Sequence, residues 1–374
     1  MSSQFQRLSK VLAKSFKLSH EELIQSFRVA SATDITAISN MRRQIFGSGI
    51  HNDDKEYLKW RYFRSSDLPS TLWILEYKGA IIAAMGIEPV EIINCGKREP
   101  AIRGMDVMVD PEFNNRGLGA WMALVLQERH TCILVCGGND NSKSMLRKLF
   151  HSMPARQYYK LMLRSNGYLK KKAIAPIAKV IALIINPLLT CHHHFKWRQI
   201  APAADVTVCD IESIDELTRF LPEATGLLGE IKVHRSAEYL SWRYKKNPRA
   251  NVRIVGAFKK NQLIGYVIYH LSTIDTIEIG RIVDSDIFSP ESISKNLSAL
   301  YLHAAKCSQR LGAEQILITL NDNASIEAAK HTGFIVRETD SELFVYYKDA
   351  KPDDPIYLPD LWYQSTSDSD AEGI

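Results

Sequence analysis

Residues 109–121 read VDPEFNNRGLGAW, and two glycines, 117 and 119, stand where an apolar strand (105–109) gives way to a helix. The chemistry this permits is anion binding. Glycines let a ligand come close to the backbone, and the first N–H groups of the helix point outward. The positive end of the helix dipole and the Arg116 charge complete a seat for a pyrophosphate. Two other glycine-rich phosphate binders do not fit. A Walker loop needs Gly-Lys-Ser/Thr after its glycines, and a dinucleotide fingerprint needs a third glycine where Met122 stands. No Ser–His–Asp or Cys–His arrangement for covalent catalysis is convincing, so Cys132 and Cys136 read as buried strand residues. Cys191, His192, His193 and His194 are adjacent rather than three or four apart, so they do not converge on a metal, and none is implied.

The elements that must position this turn occur twice. Residues 56–62 read EYLKWRY and 238–244 read EYLSWRY; 139–142 read NDNS and 321–324 read NDNA. Both pairs are 182 positions apart, which makes the chain a duplicated domain. Each copy reads as a short strand (27–30; 206–209), helices carrying the EYLxWRY face, a strand hairpin (71–95; 252–272) and another strand (102–109; 276–283). A long helix (118–129; 294–311), a buried run, an NDN-led helix and a closing strand (157–163; 343–347) follow. The order predicts a mixed α/β sheet covered by helices, with the motif's Trp as a core anchor. The second copy has no glycine pair: 282–300 read IVDSDIFSPESISKNLSAL, where Ser289, Ser292 and Ser294 are candidate caps. One seat is therefore expected in the first copy and none in the second.

Length and composition agree with two domains. The 374 residues are 45% hydrophobic and 24% charged, with a net charge of +5 that does not argue for nucleic acid. Six scattered cysteines with no C-x-x-C pair read as reduced and mostly buried, as in a cytoplasm. Residues 1–26 form a basic amphipathic segment that could dock on the protein's own surface or lie on an anionic membrane. The linker 166–203 is basic and apolar, broken by Pro176, Lys179 and Pro187; it is expected to pack on the domains or touch a membrane interface, not to span one. The tail, 351–374, is Pro-rich and then acidic, and is expected to be mobile at its end.

The stretch NNRGLG after a strand and an Asp110-Pro111 turn resembles the GNAT acetyltransferase signature, Gln/Arg-x-x-Gly-x-Gly/Ala, with Asn114 in the first place. NDNASIEAAKHTGF (321–334) is similar to that family's closing motif, and the likeness spans about 27–163 and 204–348. It implies two tandem GNAT-like α/β domains, 27–165 and a degenerate 204–350, each a mixed, mostly antiparallel twisted sheet flanked by helices. A weaker similarity is to the branch encoded among bacterial surface-polysaccharide genes.

The resemblance implies acetyl-CoA or another acyl-CoA as co-substrate and an amine acceptor, such as an amino sugar of a surface polysaccharide, attacking directly. The pantetheine would run along Val107, Met108 and Val109, its thioester lying where this strand parts from 131–136. The diphosphate would sit on Asn114, Asn115, Arg116, Gly117, Leu118, Gly119 and Ala120, with Asn139 or Asn141 near the pantetheine. Asp106, sharing a face with Met108 and Asp110, is the first candidate base; Glu88 and Glu91 come second. Arg147 stands where relatives place a proton-donating Tyr, which leaves Tyr158 or Tyr159 as substitutes. The competing class is a non-catalytic module that uses the duplicated fold to bind a partner.

Overall fold

The computed structural model describes residues 2–47, 54–63, 71–167, 169, 175–223, 226–337 and 342–368. It divides into two compact units, and each draws on both halves of the sequence. The first comprises Met1–Pro154, Lys246–Arg249 and Ser341–Leu358; the second comprises Ala155–Lys245, Ala250–Asp340 and Pro359–Ile374.

The first unit opens with helix α1 (Ser3–Phe16), whose Ser2 cap accepts from the Phe5 N–H. Its apolar stripe of Phe5, Leu12 and Phe16 is buried, and Ser9 accepts a hydrogen bond from the Trp121 indole at 2.9 Å. The basic amphipathic segment thus spends its apolar face on the protein itself. After α2 (His20–Ser26) come β1 (Phe27–Val29), α3 (Ile35–Phe46) and α4 (Lys55–Tyr62), the last carrying EYLKWRY. Then follow β2 (Leu72–Tyr77), β3 (Ala80–Asn94), β4 (Lys97–Val109), α5 (Leu118–Arg129), β5 (Cys132–Cys136), α6 (Asp140–Leu149) and β6 (His151–Ser152). One face of the sheet packs on α1 and α5 through Met85, Ile102 and Trp121; the other packs on α3 and α4 through Ile38, Leu58, Tyr62 and Met105.

The second unit contains β7 (Gln157–Met162), α7 (Ala175–Trp197), β8 (Val206–Ile211), α8 (Ile214–Phe220), β9 (Ile231–Val233), β10 (Val252–Lys259), β11 (Gln262–Ile274) and β12 (Ile277–Ile287). It continues through α9 (Ile293–Arg310), β13 (Gln315–Leu320), α10 (Asn323–Thr332) and β14 (Ile335–Arg337). The last strand of the chain, β15 (Leu343–Tyr347), returns to the first unit. The strand paths are β1-β2-β3-β4-β5-β15-β6 and β14-β7-β13-β12-β11-β10-β8, the same order with corresponding strands in each. In both, only the β4–β5 or β12–β13 neighbours are parallel. The mixed, mostly antiparallel α/β architecture is as expected.

The closing strands differ from expectation: each has exchanged sheets. β7 pairs antiparallel with β13, and β15 pairs antiparallel with β5. Residues 153–156, Met-Pro-Ala-Arg, form the four-residue link between β6 and β7, and these two strands lie in different sheets.

Three further expectations are corrected. The linker's apolar run is not broken, since α7 continues as one helix of 23 residues through Pro187; no helix among the described residues is long and apolar enough to cross a membrane. Of the six cysteines, Cys132 and Cys307 are buried, Cys136 is half-buried, and Cys95, Cys191 and Cys209 are exposed. The tail is not free over 362–368, where every residue is buried; its last six residues lie outside the described set.

The tail fills a particular place in the second unit. β12 and β13 pair only over 279–281 and 315–317, and then part. Just beyond, the Thr366 hydroxyl accepts from the Thr319 N–H (3.2 Å) and donates to the Ile282 carbonyl (3.0 Å), bridging the two strands. Asn321 of the second NDN motif accepts from the Gln364 N–H (2.8 Å) and donates to the Trp362 carbonyl (3.0 Å). Buried backbone groups left without β pairing are satisfied by the chain's own end. Thr366→Val, which keeps the shape and removes both bonds, is therefore expected to lower unfolding stability by about 1–3 kcal/mol. Urea unfolding followed by tryptophan fluorescence measures this, and an unchanged midpoint would contradict the bridging role.

Candidate functional site

The glycine turn of the first unit has the geometry its residues imply. Asp110 accepts from the Glu112 N–H and starts a single 3-10 turn at Pro111–Phe113. Asn115 (φ 61°) and Gly117 (φ 85°) then take left-handed conformations that swing the chain into α5. The first backbone bond of that helix runs from the Trp121 N–H to the Gly117 carbonyl, leaving the N–H groups of Leu118, Gly119 and Ala120 ahead of it, and no side chain among the described residues caps them. The Leu118 side chain is buried in the core, so that residue presents only its backbone. Asn114, Asn115 and Arg116 are exposed. Arg116 lies 4.9 Å over the Phe113 ring and donates to the Glu112 carbonyl, on the rim of the turn.

Strand β4 brings a second feature to the same place. Its parallel pairing with β5 is confined to 102–104 against 133–135. From Met105 onward the two strands part, while β4 keeps its pairing with β3 as far as Val109. The parting coincides with a bulge: Met105 pairs with Gly86 and Met108 with Ala84, so two β4 residues stand against one on β3. Val107 there is 38% exposed. A Cβ built on Gly119 would lie 3.9 Å from the Val107 Cγ1, so the helix start and the open β4 edge adjoin. Backbone donors and acceptors at 105–109 suit an extended ligand that adds as a strand, and the helix N-terminus beside them suits its anionic end.

What holds the bulge is Asp106. Its φ of 49° is strained for a non-glycine residue. The carboxylate accepts from Tyr62 OH (2.5 Å) and Arg61 Nε (2.7 Å), with Arg42 at 3.4 Å, and Arg42 also donates to Tyr62 OH at 3.0 Å. Tyr62, Arg61 and Arg42 are all buried. Burial alone would raise the Asp106 carboxyl; the two guanidiniums and the Tyr62 hydrogen bond outweigh it and hold the group well below the usual carboxylate range. Burial, reinforced by Asp106, keeps the Tyr62 phenol protonated. Asp106 and Met108 share a face as the alternation predicts, both reaching Arg42, and the bulge departs from that alternation by turning Met105 toward the same helices. A carboxylate held this way is a poor proton acceptor, and its role is to fix the backbone where the strands part.

The second copy repeats this contact. Tyr244 OH donates to Asp284 at 3.1 Å, again where β12 bulges against β11. The positive partner is Arg235 (2.8 Å), and Asp368 of the tail joins it. The motif's tyrosine is fully buried in both copies, at Tyr62 and Tyr244, whereas its tryptophan is buried in the second copy, at Trp242, and only half so in the first, at Trp60. At the helix start, Ser292 takes a left-handed conformation but its side chain does not cap, and Ser289 accepts from the Glu291 N–H.

The other expected residues lie elsewhere. Glu91 is exposed on β3, five residues or roughly 17 Å along the strand from Gly86. Glu88 is buried in an ion pair with Arg103. Tyr158 and Tyr159 belong to the second unit, in register with Thr319 and Ile318 of β13. Arg147 is paired with Glu342. Asn139 caps α6 through the Ser142 N–H, which is the turn role; the Asn141 side chain lies outside the described residues. His193 turns inward, bonding the Met162 carbonyl (2.7 Å) and stacking on Trp197. Sequence reasoning missed Arg42, for which no motif gives a signal, and missed Tyr62, which the repeat did signal.

Asp106→Asn is expected to destabilise the protein by about 3–5 kcal/mol at neutral pH, since two buried guanidiniums lose their counter-charge. Because the folded-state carboxyl lies below its unfolded value, near 3.9, this stabilisation is complete above pH ~4 and declines as pH falls further. Urea unfolding of both proteins between pH 3 and 7 should show the difference shrinking at the acid end. A difference independent of pH would contradict the assignment.

No known family profile matches the chain, and no curated protein matches it in sequence. Solved structures do match in fold. A GCN5-related N-acetyltransferase from Anabaena variabilis superposes with a TM-score of 0.54 at 14% identity, over 85% of this chain and 71% of that one. A probable N-acyltransferase of unknown function from Enterococcus faecalis gives 0.55 at 9% identity, over 86% and 72%. Saccharomyces cerevisiae N-myristoyltransferase, solved with bound myristoyl-CoA, gives 0.53 at 9% identity, over 86% and 81%. The chain has the two-domain fold shared by GCN5-related N-acetyltransferases and N-myristoyltransferase.

Proposed function

We propose that this protein transfers an acyl group from acyl-CoA to an amine, binding one coenzyme at the first copy. The observation that carries this reading is an uncapped, glycine-served helix start beside a strand edge left open by the parting of β4 from β5. The diphosphate would rest on the N–H groups of Leu118, Gly119 and Ala120, with Arg116, Asn114 and Asn115 at the rim. The pantetheine would pair with the backbone of Val107, Met108 and Val109. In the reaction, the neutral amine attacks the thioester carbonyl, a C–N bond forms, the C–S bond breaks, and the sulfur leaves as thiol after a proton passes to it. Glu91 and Tyr158 drop out of the proposed site, and Asp106 enters as a positioning residue. The fold neighbours support acyl-CoA chemistry in general. The acceptor class proposed first, an amino sugar of a surface glycan, comes from the sequence resemblance alone.

Acetyl-CoA at a hundredfold excess over its Kd should raise the melting temperature by roughly 5–10 °C. Gly119→Trp should abolish that shift while leaving the unliganded melting temperature near its original value, and Arg116→Ala should weaken binding several-fold. A shift that persists in Gly119→Trp would contradict the seat. Thiol release with amino sugars, polyamines and peptides then tests transfer; binding with no release for any amine would favour the non-catalytic module.

A further inference from the structure

Helix α7 carries two apolar faces, and only one is covered. The inward face anchors it to the second unit: Ala182, His193 and Trp197 are buried, Trp197 donates to the Thr332 carbonyl (3.1 Å), and Asn186 accepts from Ser165 (2.8 Å). On the opposite side Ile177, Val180, Ile184, Leu188 and Phe195 are each between 52% and 70% exposed. Their spacing of three, four, four and seven residues places all five within one narrow stripe of an α-helix. Scattered apolar residues on a surface are ordinary; five large ones in a line along a helix of about 34 Å are not.

The charge around this stripe is one-sided. From 164 through 204 the sequence contains no Asp or Glu, where the chain's average would place about four or five. The described cationic side chains in that span are Arg164, Lys179, Lys196 and Arg198. Arg198 is exposed and three residues beyond Phe195, on the side of the stripe, whereas the exposed Lys179 faces the opposite side of the helix. A docking face for another protein carries no pressure to exclude every carboxylate from its surroundings. An anionic lipid surface does, because each acidic group near it is repelled while each Lys or Arg is drawn in.

We propose that α7 lies flat in the interface of an anionic membrane, its Ile177–Phe195 stripe among the acyl chains and Arg198 at the headgroups. The bundled inward face keeps the second unit attached while the outer face is immersed. Pro187 suits this role: it leaves one carbonyl of the helix without its usual donor, which the wet headgroup region can satisfy. The proposal is independent of the acyl-transfer reading.

The full-length protein should co-sediment with vesicles of one part phosphatidylglycerol to three parts phosphatidylcholine, and much less with pure phosphatidylcholine. Ile184→Glu with Leu188→Glu should reduce that binding about tenfold with no loss of thermal stability, since both residues are exposed. A separate Arg198→Glu variant, which leaves the stripe intact, should weaken binding to the anionic vesicles only. Three results would overturn the proposal: no vesicle binding by the parent protein, binding unaffected by the double substitution, or sedimentation equilibrium showing a dimer that the double substitution dissociates, which would make the stripe an interface between copies.

Discussion

The arrangement of the first copy depends on one buried carboxylate. Asp106 is held in a left-handed conformation by Tyr62, Arg61 and Arg42, and the bulge it anchors is where β4 leaves β5. The free energy of a buried ion cluster is normally spent on nothing visible, since desolvation cancels most of the attraction. Here it stabilises a backbone shape that ordinary pairing would erase, because two parallel strands in good register have every reason to continue. With the strands apart, an edge of backbone groups without strand partners among the described residues opens next to a helix start that likewise has no cap among them. The two features together form a surface for a ligand that is extended at one end and anionic at the other.

The second copy shows the same device put to a different use. Tyr244 and Asp284 hold an equivalent bulge, and β12 leaves β13 at the equivalent place. There the opening is closed by the chain's own end, with Thr366 bonded to both strands and Asp368 paired with Arg235. This gives a physical reason for the absence of a glycine pair in 282–300. A copy whose parting is already filled by peptide has no need of glycines at its helix start, which is likewise uncapped at Ser292, so side chains at those positions carry no penalty. The duplication kept the fold because the fold needs the bulge, whether or not a coenzyme enters it.

Much of this was legible in the sequence, and the parts that were not have a common cause. The duplication, the element order, the glycine turn and its confinement to one copy all follow from local patterns. So does the docking of α1 through Phe5, Leu12 and Phe16, which was one of two readings that its amphipathic spacing allowed. Contacts between residues far apart in sequence were not legible. Asp106 reads as a candidate base from strand alternation, because nothing local announces the bulge or the arginine 64 positions earlier. The exchange of β7 and β15 is equally hidden, since a strand's own residues do not say which of two similar sheets it will join. An acidic, Ser-rich tail resembles disordered chain until partners such as Asn321 and Arg235 are known.

The central claim is that one copy binds the coenzyme and the other cannot. Hydrogen–deuterium exchange of the full-length protein with and without saturating acetyl-CoA measures this directly, amide by amide. Protection should appear at 105–109 and 117–120 and be absent from 282–296. Protection in the second stretch, or at neither, would contradict the account.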